Sequence, residues 1–123
     1  MTIASSALST FSGLTKYQDT QLLKTGDNNI TASTATVYQI IIDNTLNAAE
    51  AEYVKFYNAA APTYGTTTPD DEFLIPAGIS RTIFFPEGKV YGTALSMCAC
   101  KEAGTTVTNS PTAALSITIY ATT

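Results

Sequence analysis

The chain has 123 residues, 45% hydrophobic and only 13% charged, with a formal net charge of −4 and no His. That is enough apolar material for the core of about one domain, while six scattered Lys and Arg exclude a phosphate-neutralising surface, so neither nucleic acid nor an anionic membrane is an expected partner. Without His there is no imidazole base and no Ser-His-Asp triad, and the chain is expected not to be an enzyme.

Residues 1–33 are rich in Ser, Thr and Asn, with isolated apolar positions and little periodicity. Residues 21–24 have the makings of a short strand, and Gly26-Asp27-Asn28-Asn29 is turn chemistry. The segment reads as an extended N-terminal arm ordered by contact with something else, or as a flexible tail. Its first residues lack the basic and apolar regions of a signal peptide, and no apolar run is long enough for a membrane helix. The expected setting is therefore a cytoplasm, or assembly there before release by lysis.

From residue 34 the pattern changes to that of a β domain, expected to occupy 34–123. Tyr38, Ile40 and Ile42 alternate through residues 37–43, and Ile41 is apolar as well, as in a strand buried largely on both faces. Residues 52–57 follow, with Val54 and Phe56 on one side and Tyr53, Lys55 and Tyr57 on the other, and the two runs predict a hairpin. Pro62, Gly65 and Pro69 mark 59–71 as a crossing loop. Short strands are predicted at 72–75 and 81–85, stopped by Pro76-Ala77-Gly78 and by Pro86-Glu87-Gly88. Residues 90–101 read as a central strand with two apolar faces. In 115–120, Leu115, Ile117 and Ile119 are expected to face the core. Six or seven such strands between Pro/Gly turns predict an all-β fold, a compact antiparallel β-sandwich of Ig-like or jelly-roll-like kind.

Chemistry-bearing residues are few. Cys98 and Cys100 share a strand face at a spacing unsuited to a mutual disulfide. They read as small buried hydrophobes, the rival being a Cys-x-Cys metal or redox site that lacks further ligands. Asp70, Asp71, Glu72 and Glu87 offer carboxylates for glycosidase work, and the first three also for Ca²⁺, but Asp70-Asp71-Glu72 after Pro69 is more simply a solvated turn. No cofactor or metal is expected. Seven Tyr and no Trp leave three uses open for Tyr53, Tyr57, Tyr64 and Tyr91: protein contact, a sugar platform, or packing at the rim of a core. Phe11, Leu14, Tyr17, Leu22 and Leu23 of the arm join them as interface candidates.

Several stretches together resemble a family of small bacteriophage virion proteins of the capsid decoration, or cement, kind. They are Tyr53-Val54-Lys55-Phe56-Tyr57-Asn58-Ala59, Ala61-Pro62-Thr63-Tyr64-Gly65-Thr66-Thr67-Thr68-Pro69 and Leu74-Ile75-Pro76-Ala77-Gly78. Phe84-Phe85-Pro86-Glu87-Gly88 and Tyr91-Gly92-Thr93-Ala94-Leu95 extend the similarity over roughly residues 37–120. These are turn and packing signatures rather than a reactive site. The resemblance implies a homo-oligomer, a trimer by the symmetry of capsid junctions, seated on the major capsid protein at the outer surface of the virion. A phage tail, fibre or host-adhesion module whose tyrosine-rich loops bind a surface glycan is the alternative.

Overall fold

The computed structural model describes residues 4–7 and 13–122. Eight strands form: β1 (Ala4–Ala7), β2 (Thr15–Leu22), β3 (Ala35–Asp43), β4 (Glu52–Asn58), β5 (Asp71–Ile75), β6 (Ser80–Tyr91), β7 (Leu95–Cys100) and β8 (Leu115–Thr122). They make two antiparallel sheets, one ordered β1-β2-β8-β3-β6 and one ordered β5-β4-β7. Val37, Ile40, Ile42, Leu115, Ile117 and Ile119 of the larger sheet pack against Val54, Phe56, Leu95, Met97 and Ala99 of the smaller in one buried cluster. The architecture is the all-β sandwich that the alternating pattern predicts.

The hairpin expected between residues 37–43 and 52–57 does not form. β3 pairs with β6 and β8, whereas β4 pairs with β5 and β7 in the other sheet. The connection between them crosses the sandwich and is held by side-chain amides. Asn44 Nδ2 donates to the carbonyls of Glu50, Ile75 and Pro76, and Asn47 Nδ2 donates to Asn44 Oδ1 and to the Ala113 carbonyl. These bonds replace the ladder a hairpin would supply. Strand length and alternation are the same in either arrangement, so the pattern alone does not tell them apart.

Two bulges explain where the period-two pattern was misleading, because one extra residue moves everything beyond it to the other face. Against β8, Val37 and Gln39 of β3 face Ala121 and Tyr120, so Tyr38 is the extra residue. Val37 and Ile40 are consequently both fully buried, and Tyr38 is only half-buried. On the other flank the register jumps from Phe84 to Lys89, which absorbs Phe85-Pro86-Glu87-Gly88 into a continuous β6 instead of ending it. Gly88 makes this possible: its φ is +84°, and a Cβ there would run into the Thr36 methyl and the Tyr38 ring.

The arm expected over residues 1–33 is largely part of the sandwich. β2 pairs with β8 from Thr15↔Ala121 to Leu22↔Leu115, with a bulge between Asp19 and Leu22 that Gln21 N closes on Asp19 Oδ1 at 2.8 Å. That bulge, and an Asp in an inward position, hid the strand from a search for alternation. Residues 23–31 then cross to the free edge of β7, where Asp27 and Met97 exchange backbone hydrogen bonds of 2.8 and 2.9 Å and Ile30 N donates to the Leu95 carbonyl. β7 is thus the last named strand of its sheet rather than its centre, and this segment covers its edge.

Candidate functional site

The two sheets treat their outer faces differently. On the small sheet, Lys55 and Tyr57 of β4 point away from Val54 and Phe56, yet both are fully buried, as are Cys98 and Ser96 opposite them on β7 and Cys100 opposite Tyr53. Two loops cover them. Lys55 Nζ donates to the carbonyls of Gly104 and Thr106 at 2.5 and 2.7 Å and lies 3.6 Å from Glu72 Oε1. Glu102 folds the same loop by accepting from the backbone of Thr108 and Asn109 and from the Asn109 amide. From the other loop, the Tyr64 ring stacks edge-on against Tyr57 at 5.2 Å, and its hydroxyl donates to Asn28 Oδ1, with the carbonyls of Met97 and Asp27 as further acceptors within 3.1 and 3.3 Å of the same oxygen. A Cβ on Gly26 would stand 2.5 Å from both the Met97 oxygen and the Tyr64 ring, so that close approach requires glycine.

Burial sets the chemistry under this roof. It pushes the Cys98 thiol up to about 12, and the neighbouring Cys100 adds to the shift. The same desolvation raises Cys100, Tyr57 and Tyr64. Thiols held protonated in this way are poor nucleophiles and poor metal ligands. Both cysteines are free, and among the described residues no three His, Cys, Asp or Glu gather around a common point.

The larger sheet carries its outer face differently. Phe84 pairs with Gln39 and Val90 with Thr36, on the side opposite the core, and they are 66% and 58% exposed. Half-buried Ile41 and Tyr120, together with Thr36, Thr118 and Thr122, continue the same face across β3 and β8. β6 is also the end strand of the sheet. The face is apolar at its β6 side and hydroxyl-rich elsewhere. By contrast, the hollow lined by Leu46, Asn47, Ala48, Ala49, Glu50 and Thr112 holds about 230 Å³, and Thr112 and Lys101 already occupy the Glu50 carboxylate.

Three acids that the sequence pattern did not single out are buried. Asp19 and Asp27 are 1% and 8% exposed, Glu52 is fully buried, and Asp19 Oδ2, Asp27 Oδ2 and both Glu52 oxygens have no donor. Each has a second carboxyl group beside it. Burial, reinforced by Glu50, pushes Glu52 up to about 8, while the proton Glu52 holds, and then the Thr112 N–H, keep Glu50 below its ordinary value. Asp27 is raised in the same sense by burial and by Asp19. A buried carboxyl group with a second carboxylate nearby resists ionisation. Signals for two of them existed: Glu52 stands two residues before inward Val54, and Asp19 two after Tyr17.

The predicted contact residues scatter. Of the interface candidates, Tyr91, Tyr17 and Leu22 belong to the core and Tyr57 is buried under the roof, which leaves packing as their use. Leu14, Leu23, Tyr53 and Tyr64 are half-buried, and Phe11 lies outside the described residues. Tyr91 donates to Asp71 Oδ2 at 2.6 Å, which Lys89 also approaches at 3.7 Å, and Asp70 Oδ2 accepts from Asn58 N. With Glu72 accepting from Gly104 N at 2.8 Å, all three carboxylates of the expected turn tie strands and loops together. Glu87 is exposed. The fold and this asymmetry between its faces define a small antiparallel β-sandwich with one roofed sheet. Comparison with family models, with curated proteins and with solved structures returned no match.

Proposed function

We propose that the chain is a bacteriophage capsid decoration protein that binds at junctions between major capsid proteins and stabilises the shell, and that it does so as a homo-oligomer, a trimer. The observation that carries this reading is the outer face of the larger sheet, where Phe84 and Val90 stand exposed beside a field of Thr, Tyr and Ile side chains. Exposed apolar side chains on an open sheet face, beside hydroxyls that can hydrogen-bond, suit contact with another protein surface. Repetition of modest contacts over a symmetric shell multiplies them through avidity. The sequence motifs add to the reading through their resemblance to virion proteins. The glycan-binding alternative is less well supported, because Tyr57 and Tyr91 are interior and the Tyr64 hydroxyl is committed to internal acceptors.

The test is co-sedimentation with undecorated phage capsids, imaged by cryo-electron microscopy. Symmetric added density at capsomer junctions is expected, with loss of binding in a Phe84→Ser, Val90→Ser double variant that folds as the parent does. Failure to bind a shell known to be its own overturns the proposal, and undiminished binding by the double variant overturns the assignment of the face.

A further inference from the structure

We propose that the trimer closes through the wall where β5 and β6 meet, the β6 edge of one copy lying against the β5 edge of the next. The inference rests on the homo-oligomeric reading above and names its contact surface. β5 and β6 are end strands of opposite sheets, and side chains tie them together along their length. Arg81 Nη1 donates to the Leu74 carbonyl at 3.0 Å, the Phe73 and Phe85 ring centroids lie 6.5 Å apart, and Asp71 accepts from Tyr91 and lies 3.7 Å from Lys89. The two strands therefore run antiparallel, side by side. Here the core reaches the surface. Phe73, Ile83 and Phe85 pack against it yet are only half-buried, and Leu74 and Ile79 beside them are 44% and 42% exposed. Residues 23–31 cover the β7 edge at the other side of the small sheet, whereas among the described residues no strand pairs with the outer edge of β5 or β6.

Backbone direction and charge together select a second copy. Asn44 N donates to the Ile79 carbonyl, and bonded and unbonded pairs alternate along an antiparallel ladder. Ser80 and Thr82, opposite Asp43 and Ile41, therefore turn their N–H and C=O groups away from β3, towards any strand that approaches. Pro86 and the bulge at Gly88 confine this free edge to the start of β6. β5 and the residue before it carry Asp70, Asp71 and Glu72 without a base, whereas β6 carries Arg81 and Lys89 against Glu87 alone. Arg81 has no ion pair among the described residues, and Glu72 uses only Oε1 within the chain, for Gly104 N and Lys55. Two β5 edges set acid against acid and two β6 edges set base against base, while unlike edges match. The contact is then heterologous, the kind that closes into a ring. A threefold axis alongside the strands keeps every residue at its own height. β6 then meets the next copy's β5 antiparallel, with Arg81 at the level of Leu74 and close to the unused oxygen of Glu72.

Analytical ultracentrifugation of the intact chain across the micromolar range tests this. The parent should sediment as a trimer that added salt weakens. Arg81→Glu reverses an exposed charge and should raise the concentration of half-dissociation about tenfold or more. Leu74→Glu should do the same, each variant keeping the circular dichroism of the parent. Lys16→Glu makes the same charge change on β2, away from the wall, and should leave the trimer intact. A parent that stays monomeric or dimeric overturns the contact. So does a folded Arg81→Glu or Leu74→Glu variant that associates like the parent, or an equal loss in Lys16→Glu. Capsid binding is read separately. A trimer that ignores its own capsid overturns the decoration reading and leaves this contact standing, whereas a monomer that binds the capsid does the reverse.

Discussion

Replacing Glu52 with Gln should stabilise the protein, although it removes an ionisable residue from a strand end. Glu52 is fully buried, and neither of its oxygens has a donor. Its pKa moves from the ordinary 4.5 to about 8 through burial and then through Glu50. Between those values the folded chain binds more protons than the unfolded chain, so stability falls as pH rises. The contribution of the protonated carboxyl is whole below 4.5 and has gone by the time pH passes about 8. At about 1.4 kcal/mol per pH unit, the whole span sets a ceiling of about 5 kcal/mol, and about 3 kcal/mol at neutral pH. Side-chain relaxation and water entry typically halve such figures, leaving about 1–2 kcal/mol near pH 7. Gln keeps the shape, never ionises, and donates an amide to the Glu50 carboxylate. Urea unfolding of parent and Glu52→Gln at several pH values between about 4 and 9 measures the difference. The two should nearly coincide at the acid end and diverge as pH rises, with the variant more stable. Asp27 titrates in the same direction, so some slope should persist in the variant. Parallel curves, or a variant less stable at pH 8, would refute the assignment of a buried protonated Glu52.

Three further substitutions probe the parts of the sandwich that position its faces. Asn47→Ala removes two donated bonds and the acceptor of the Ala113 N–H, all 2.8 Å long, at a buried position, and should cost about 2–4 kcal/mol in urea unfolding. Lys55→Met leaves the carbonyls of Gly104 and Thr106 without their shared donor, and limited proteolysis should cut the 101–114 loop earlier than in the parent. Gly88→Ala forces a side chain into the Thr36 methyl at φ +84° and should lower stability by about 1–3 kcal/mol, read as a shift in the thermal midpoint.

How much of this was written plainly in the sequence depends on the element. Leu115, Ile117 and Ile119 alternate without interruption, and all three are fully buried as the pattern requires. β2 was missed because its inward positions are Tyr17, Asp19 and Leu22, an acid followed by a bulge, and no fixed period links them. Sheet membership of β3 and β4 was illegible for a different reason. It is set by Asn44 and Asn47 reaching carbonyls as distant as Pro76 and Ala113, a long-range arrangement that local pattern cannot encode. Two of the tyrosines leave the surface for different reasons: a roof of loops buries Tyr57 on the outward side of β4, and Tyr91 faces the core from β6.

That roof also bears on where function resides. β5, β4 and β7 have five, seven and six residues, and a three-stranded sheet of that size has little apolar surface on one face alone. Its second face is buried at Lys55, Tyr57, Cys98 and Cys100, under loops 59–70 and 101–114, whose carbonyls, carboxylates and Tyr64 are consumed in holding Lys55, Tyr57 and β7, while Leu74 at the β5 edge stays exposed. Loops so engaged are poorly placed to adapt to a partner, the reverse of the usual division in which loops carry function and sheets carry stability. In the larger sheet β8 is paired on both sides by β2 and β3 and its inward residues already fill the core, so its outward residues, apart from Thr118 that accepts from the Gln18 amide, make no side-chain bond that holds the sheet. Phe84 and Val90 continue that unencumbered face at the β6 edge. Changes there should leave folding almost untouched while altering what the protein binds, whereas changes in the roof should do the opposite.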